Sequence, residues 1–179
     1  LSLAIRQILF LIIPTSALLI ILRAQIVRVI LGSGRFDWED TVLTLETLSF
    51  FAFSLFAQAL VLVLIRAFYA QEDSKTPFYT GLIAAFANII LALMMIEQFG
   101  VAGLALALSL STILNFVLLM LILHYRLGQL DGQKITLSLM KILIATFMLA
   151  LISQATKYPI EKIFGTETFI GISFQMIAA

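Results

Sequence analysis

Long apolar blocks alternate with short polar breaks along this chain, and the blocks have the length of membrane-crossing helices. A crossing needs about 20 mostly apolar residues. Residues 3–22 supply the first, interrupted by Arg6 near the start and by Pro14, and closed by Arg23. Residues 24–31 read as a short amphipathic continuation carrying Arg28, placed at the membrane interface. Gly32-Ser33-Gly34-Arg35-Phe36 reads as a loop, with Asp37 as a helix N-cap and Glu39 and Asp40 in the first turn. The second long helix is expected over 38–70, uncharged from Thr47 to Ile65.

A polar segment, 71–77, follows, in which Thr76 is expected at the N-cap and Pro77 at the first helical position. The third crossing spans 78–96 and the fourth 101–123, joined by a tight turn at Glu97-Gln98-Phe99-Gly100. Residues 126–134 form a polar loop before a fifth crossing at 135–156, with Lys141 near its start. A loop at 157–167 contains Pro159 and Gly165, and a sixth helix begins near Thr168. No alternating strand pattern of the kind a barrel needs occurs. The expected fold class is an all-α integral membrane protein, a polytopic bundle of about six transmembrane helices.

Composition sharpens this picture. The 179 residues are 62% hydrophobic and 12% charged, far from the roughly half apolar, quarter charged make-up of soluble domains. The net charge of +1 leaves no electrostatic footprint for nucleic acid. There is no Cys and one His, His124, so thiolate chemistry is excluded and a His-based metal cluster or relay has little to build on. No metal site and no cofactor is expected. The chain begins with Leu1 and stops within an apolar run, so it reads as an internal or C-terminal piece of a longer membrane protein.

Arg6, Arg66, Lys75, Arg126, Lys134 and Lys141 would share one side of such a bundle; Arg23, Arg28, Arg35, Lys157 and Lys162 would share the other. The first side carries the larger cationic count and is placed in the cytoplasm.

Small residues recur every fourth position at Gly103, Ala107 and Ser111, with Asn115 next in register. Gly81, Ala84 or Ala85, Asn88 and Ala92 make a similar stripe on the preceding span. Such stripes let membrane helices approach closely. Asn88, Asn115 and Gln58 either bridge helix contacts or face a hydrated path, since polar side chains inside spans seldom face lipid. Arg66 ends the second long helix beside Phe68 and Tyr69, where it either snorkels to the interface or meets a lipid headgroup. Metalloprotease, phosphate-loop and nucleophile-elbow motifs are absent, so no enzyme is expected.

The segment from Arg66 to Pro77 reads Arg-Ala-Phe-Tyr-Ala-Gln-Glu-Asp-Ser-Lys-Thr-Pro. It resembles a hallmark of the MurJ (MviN) lipid II flippases, "FYA, two residues, D, one residue, KTP". That motif puts Arg66, Phe68, Tyr69, Asp73, Lys75, Thr76 and Pro77 in a signature loop. Pro14, the turn from Ile30 to Phe36, the run from Asn88 to Leu91, the run from Gly100 to Ala107, and Asn115 agree with that family in order and spacing. The resemblance covers residues 1–126.

The family belongs to the MOP exporter superfamily and has fourteen transmembrane helices. The resemblance implies that 1–126 are the last four helices of the C-terminal transport lobe. Residues 127–179 would be two additional helices, the last truncated. It implies movement of lipid II, the undecaprenyl-pyrophosphate-linked disaccharide peptide, from inner to outer leaflet of the bacterial cytoplasmic membrane by alternating access. The partners would be lipid II, membrane lipids and the N-terminal lobe. The family's cavity arginines lie in helices that this chain lacks. Some members build a cation site from an acid and a hydroxyl where this sequence has Ala92 and Leu108, so that site does not carry over. Alternatives are a related exporter of another lipid-linked oligosaccharide or of drugs, and a non-catalytic membrane subunit.

Overall fold

The computed structural model describes residues 2–31, 38–128 and 132–164. These form α1 (Ser2–Ile21), α2 (Arg23–Leu31), α3 (Trp38–Tyr69), α4 (Lys75–Leu127) and α5 (Gly132–Phe164). Pro14 lies inside α1 and removes one helical donor there. The hydroxyls of Thr15 and Ser16 turn back onto the carbonyls of Leu11 and Ile13, at 2.7 and 2.9 Å. The break between α1 and α2 is a bend at Leu22: the Leu22 N–H donates to Leu18 O and the Ile26 N–H to Leu22 O. Arg23 donates to the Ser49 hydroxyl and so ties α2 to α3.

The 53 residues of α4 would measure about 80 Å if straight, against a hydrocarbon core of about 30 Å. The helix instead reverses at Gly100, whose backbone at φ 56° and ψ −134° is non-helical. A left-handed φ of this kind suits glycine, which has no Cβ to clash. After the turn, Gly103 lies against Met95: a Cβ on Gly103 would run into the Met95 carbonyl oxygen. α4 is therefore a hairpin of two limbs, 75–99 and 101–127. This matches the separate third and fourth crossings expected from the sequence.

α3 packs against α4, while α1 packs against α3 and α5. Leu64 and Phe68 of α3 meet Leu119 and Leu123 of the second limb in a fully buried cluster. Phe56 and Phe116 touch edge to face at 6.1 Å in the same interface, and the Ser109 hydroxyl donates to Phe50 O at 2.8 Å. The order of these contacts makes α3 and the second limb parallel. A second cluster joins Ile5 and Leu9 of α1 to Leu60 of α3 and Ile142 of α5. Long apolar side chains such as Phe10, Leu93 and Phe147 point outward on α1, the first limb and α5. Contiguous exposed apolar surface of this kind marks a lipid-facing bundle.

Four helices are long and apolar enough to cross a membrane, and with α4 folded in two the described residues make five passes. Two sequence expectations change. Residues 157–164 are helical rather than loop, because α5 runs on to Phe164: hydropathy marks where apolar residues stop, not where backbone hydrogen bonding stops. Thr76 is not the N-cap of α4, for the reason given below. The expected loop at 32–36, the Asp37 cap and the sixth helix from Thr168 lie outside the described residues.

Candidate functional site

The signature loop is built from the end of one helix and the start of the next. At the end of α3 the Glu72 N–H donates to Tyr69 O and the Asp73 N–H to Phe68 O, each at 3.0 Å. Glu72 sits between them with φ at 59°. This pair of bonds around one left-handed residue satisfies the terminal carbonyls of α3, and the left-handed position usually belongs to Gly.

Asp73, just before α4, then caps its start. Its Oδ1 accepts the backbone N–H groups of Lys75 and Thr76, both at 3.0 Å. Its Oδ2 accepts the Thr76 hydroxyl at 2.6 Å. The capping side chain is thus Asp73, and Thr76 lies inside the first turn. A carboxylate outcompetes the hydroxyl because two orphan amide donors and the positive helix end both favour negative charge. Pro77 is the third residue of α4 rather than the first, because the cap lies upstream of Thr76; still in the first turn, it gives up an N–H that would otherwise be orphaned.

Arg126, at the far end of the second limb, closes the arrangement. It pairs with Asp73 Oδ2 at 2.5 Å and donates to the Thr76 hydroxyl at 3.1 Å. Its guanidinium carbon lies 5.7 Å from the centroid of the Phe68 ring, which is fully buried. One face of the cation therefore rests on an aromatic ring and its edge meets a carboxylate. Three helix ends are held in one clasp: the end of α3, the start of α4 and the end of α4.

The hydrogen bonds from the Thr76 hydroxyl and the Thr76 N–H hold the Asp73 carboxyl down at about 2 against the opposing effect of burial, and Arg126 adds to them. Asp73 is therefore ionised at any ordinary pH. Arg66, Tyr69 and Lys75 stand exposed around this clasp. Tyr69 and Lys75 border, with Phe78 and Tyr79, an open cleft of about 520 Å³.

The second place of interest lies at mid-span. Gln58 of α3, Asn88 of the first limb and Asn115 of the second limb line one cleft of about 400 Å³, together with Ser111 and Thr112. The structure thus brings together all three polar residues singled out from the sequence. Gln58 donates to the Ser54 hydroxyl at 2.9 Å. The Oδ1 of Asn115 is buried with no hydrogen-bond partner among the described residues. Polar groups inside a span are costly unless they are paired or serve a path.

Gly103, Ala107 and Ser111 are all buried, so the small stripe of the second limb is a helix contact. The stripe of the first limb is not uniform. Among the described residues nothing lies within 4 Å of a Cβ on Gly81, and Ala85 is exposed. Leu108, at one of the absent cation-site positions, is exposed, and its carbonyl accepts the Ser111 and Thr112 hydroxyls.

Sequence reasoning missed the role of Arg126. It counted only as one cation on the side of the signature loop. The signal available was that Asp73 and Arg126 fall at ends of crossings that an up-and-down topology places on one face.

Fold and site together define a polytopic α-helical membrane protein with an open polar cleft between its helices and a charged clasp at one end. Residues 1–175 match the family model of lipid II flippase MurJ. The chain belongs to that family. It is similar to a probable lipid II flippase MurJ of Thermotoga maritima, with 36% identity over 113 residues, 63% of this chain and 24% of the relative. A probable lipid II flippase MurJ of Vibrio cholerae is 34% identical over 120 residues, 67% of this chain and 23% of the relative. The lipid II flippase MurJ of Thermosipho africanus is 31% identical over 117 residues, 65% of this chain and 25% of the relative. The chain spans about a quarter of the length of these curated relatives. A solved structure of lipid II flippase MurJ in an inward closed conformation shares the fold, with TM-score 0.79 and 23% identity over 98% of this chain and 35% of that one.

Proposed function

We propose that this chain is the C-terminal part of a lipid II flippase of the bacterial cytoplasmic membrane, a transporter and not an enzyme. The observation that carries the reading is the family match over residues 1–175, on a bundle whose signature loop forms an ordered clasp. In this reading 1–126 are the last four helices of the C-terminal transport lobe, and 127–179 contribute the additional helices. The lobe rocks against an N-terminal lobe about a central headgroup site. The clasp face, with Arg66 and Lys75, lies in the cytoplasm.

The contribution of this chain is mechanical. The clasp fixes the ends of α3 and α4, so these helices move as one body. The cleft of Gln58, Asn88 and Asn115 places polar groups where a moving lobe meets water or a polar headgroup. Related exporters of other lipid-linked sugars share the general architecture, and the signature loop favours the peptidoglycan precursor among them.

The test uses the full-length protein in bacteria depleted of their own lipid II flippase. Restored growth, with newly exposed lipid II on the outer leaflet, is expected. Failure to expose lipid II while the protein is folded and present in the membrane would overturn the assignment.

A further inference from the structure

α1 and α5 run parallel, with residues 3–11 of one beside 138–145 of the other along a cleft of about 750 Å³. Two cations face this cleft, Arg6 from α1 and Lys141 from α5. Both stand inside crossing segments, Arg6 in Ser2–Ile21 and Lys141 in Ile135–Gln154. Lys141 lies about 9 Å along the axis from Ile135. α1 contains no acid, and α5 contains none before Glu161. Gln7 and Ser138 add hydrogen-bonding groups beside the cations, and Phe10 and Leu11 continue the cleft as an apolar wall.

Two like charges at membrane depth repel each other and are expensive without an anion. Neither helix supplies one. A bilayer does: an anionic phospholipid carries a phosphate at the interface and acyl chains below it, in the order of charge above apolar wall that the cleft presents.

We propose that the α1–α5 cleft is a binding site for an anionic phospholipid of the surrounding bilayer, its phosphate held by Arg6 and Lys141. Gln7 and Ser138 donate to the remaining phosphate or glycerol oxygens, and one acyl chain lies along Phe10 and Leu11. The site concerns the bilayer around the bundle and not the transported molecule, so it is independent of the function proposed above.

The test places the full-length protein in nanodiscs of equal phosphatidylglycerol and phosphatidylcholine, strips lipid stepwise, and counts retained lipids by native mass spectrometry. The wild type is expected to prefer phosphatidylglycerol. The joint variant Arg6→Gln with Lys141→Gln should lower that preference by about tenfold. Exchanging the cations, Arg6→Lys with Lys141→Arg, should keep it, as should Arg23→Gln on the other side of the bundle. No preference in the wild type, or an unchanged preference in the neutral variant, overturns the proposal. So does displacement of the lipid by millimolar inorganic phosphate, which would make the cleft a site for free anions. If the neutral variant does not fold, a photoreactive phosphatidylglycerol on the wild type decides: cross-links within 3–11 and 138–145 support the site, and their absence there overturns it.

Discussion

Asp73 and Arg126 share one ion pair, at 2.5 Å, in which the carboxylate also caps the helix that ends at the arginine. A single side chain therefore speaks to both ends of α4. Exposed ion pairs of this kind usually contribute little by themselves. This one differs because Asp73 also accepts two backbone N–H groups and the Thr76 hydroxyl, and because Arg126 lies over Phe68.

Asp73→Ala and Arg126→Ala are each expected to lower the thermal unfolding temperature in detergent by a few degrees. Their effects should not add, because each removes the same pair. Arg66→Ala, outside the clasp, should leave the unfolding temperature unchanged. Additive losses for Asp73 and Arg126 would show that the pair is incidental.

The same carboxylate sets an acid limit. Its folded pKa, about 2, lies below the ordinary value of 3.8. A depressed carboxyl pKa contributes stability that is fully present above the unfolded value and is lost as pH falls through the folded one. Melting curves should therefore be insensitive to Asp73 from neutral pH down to about 4, then fall toward pH 2. Asp73→Asn should flatten that fall. An equal acid response in the variant would assign it to other groups.

Gly81 and Gly103 sit in stripes of the same spacing but in opposite surroundings. Gly103→Ala drives a methyl into the Met95 carbonyl and should cost roughly 1–3 kcal/mol. Gly81→Ala meets nothing within 4 Å among the described residues and should be neutral or stabilise by up to about 1 kcal/mol, through helix propensity. Unfolding of both variants in one detergent checks the contrast directly.

Glu72 occupies a left-handed backbone position that side chains disfavour. Glu72→Gly should stabilise the loop by about 0.5–1 kcal/mol, since the relief of strain exceeds the added freedom of the unfolded chain. A lower unfolding temperature for this variant would mean that its carboxylate holds a contact worth more than the strain.

Asn115 separates packing from transport. Asn115→Leu removes a buried oxygen that has no partner among the described residues, so the fold should be unharmed or stabilised by about 1–2 kcal/mol. In the full-length protein, exposure of lipid II on the outer leaflet should fall. A variant that is stable and fully active would reduce the polar cleft to a place where helices meet.

Much of this was legible from hydropathy. The limits of α1 and α3 and the reversal at Gly100 follow from spans of helical length in alternating directions; these put Gln58, Asn88 and Asn115 inside their spans, but that they share one cleft is seen only in the packed bundle. Other features were not legible because one local pattern serves two outcomes. Thr76-Pro77 reads as a helix start, yet a carboxylate three residues before Thr76 is the stronger partner for the first amides. Arg126 at a span end reads the same whether it snorkels or pairs, and only the hairpin brings Asp73 to it. The first-limb stripe looks like a contact face, but among the described residues nothing stands where a Gly81 side chain would go. α5 outlasts its apolar stretch because a helix needs backbone partners, not hydrophobic side chains.

The reversal at Gly100 leaves α4 without slack. A single residue joins the limbs at one face of the membrane, and Thr76 and Arg126 fasten them at the other. The hairpin is thus a closed stave, laced at top and bottom. Sliding one limb past the other would have to break the lacing or open the glycine corner. Any tilt of the stave therefore carries α3 with it and is felt where α3 meets α1, hardly at all within the hairpin.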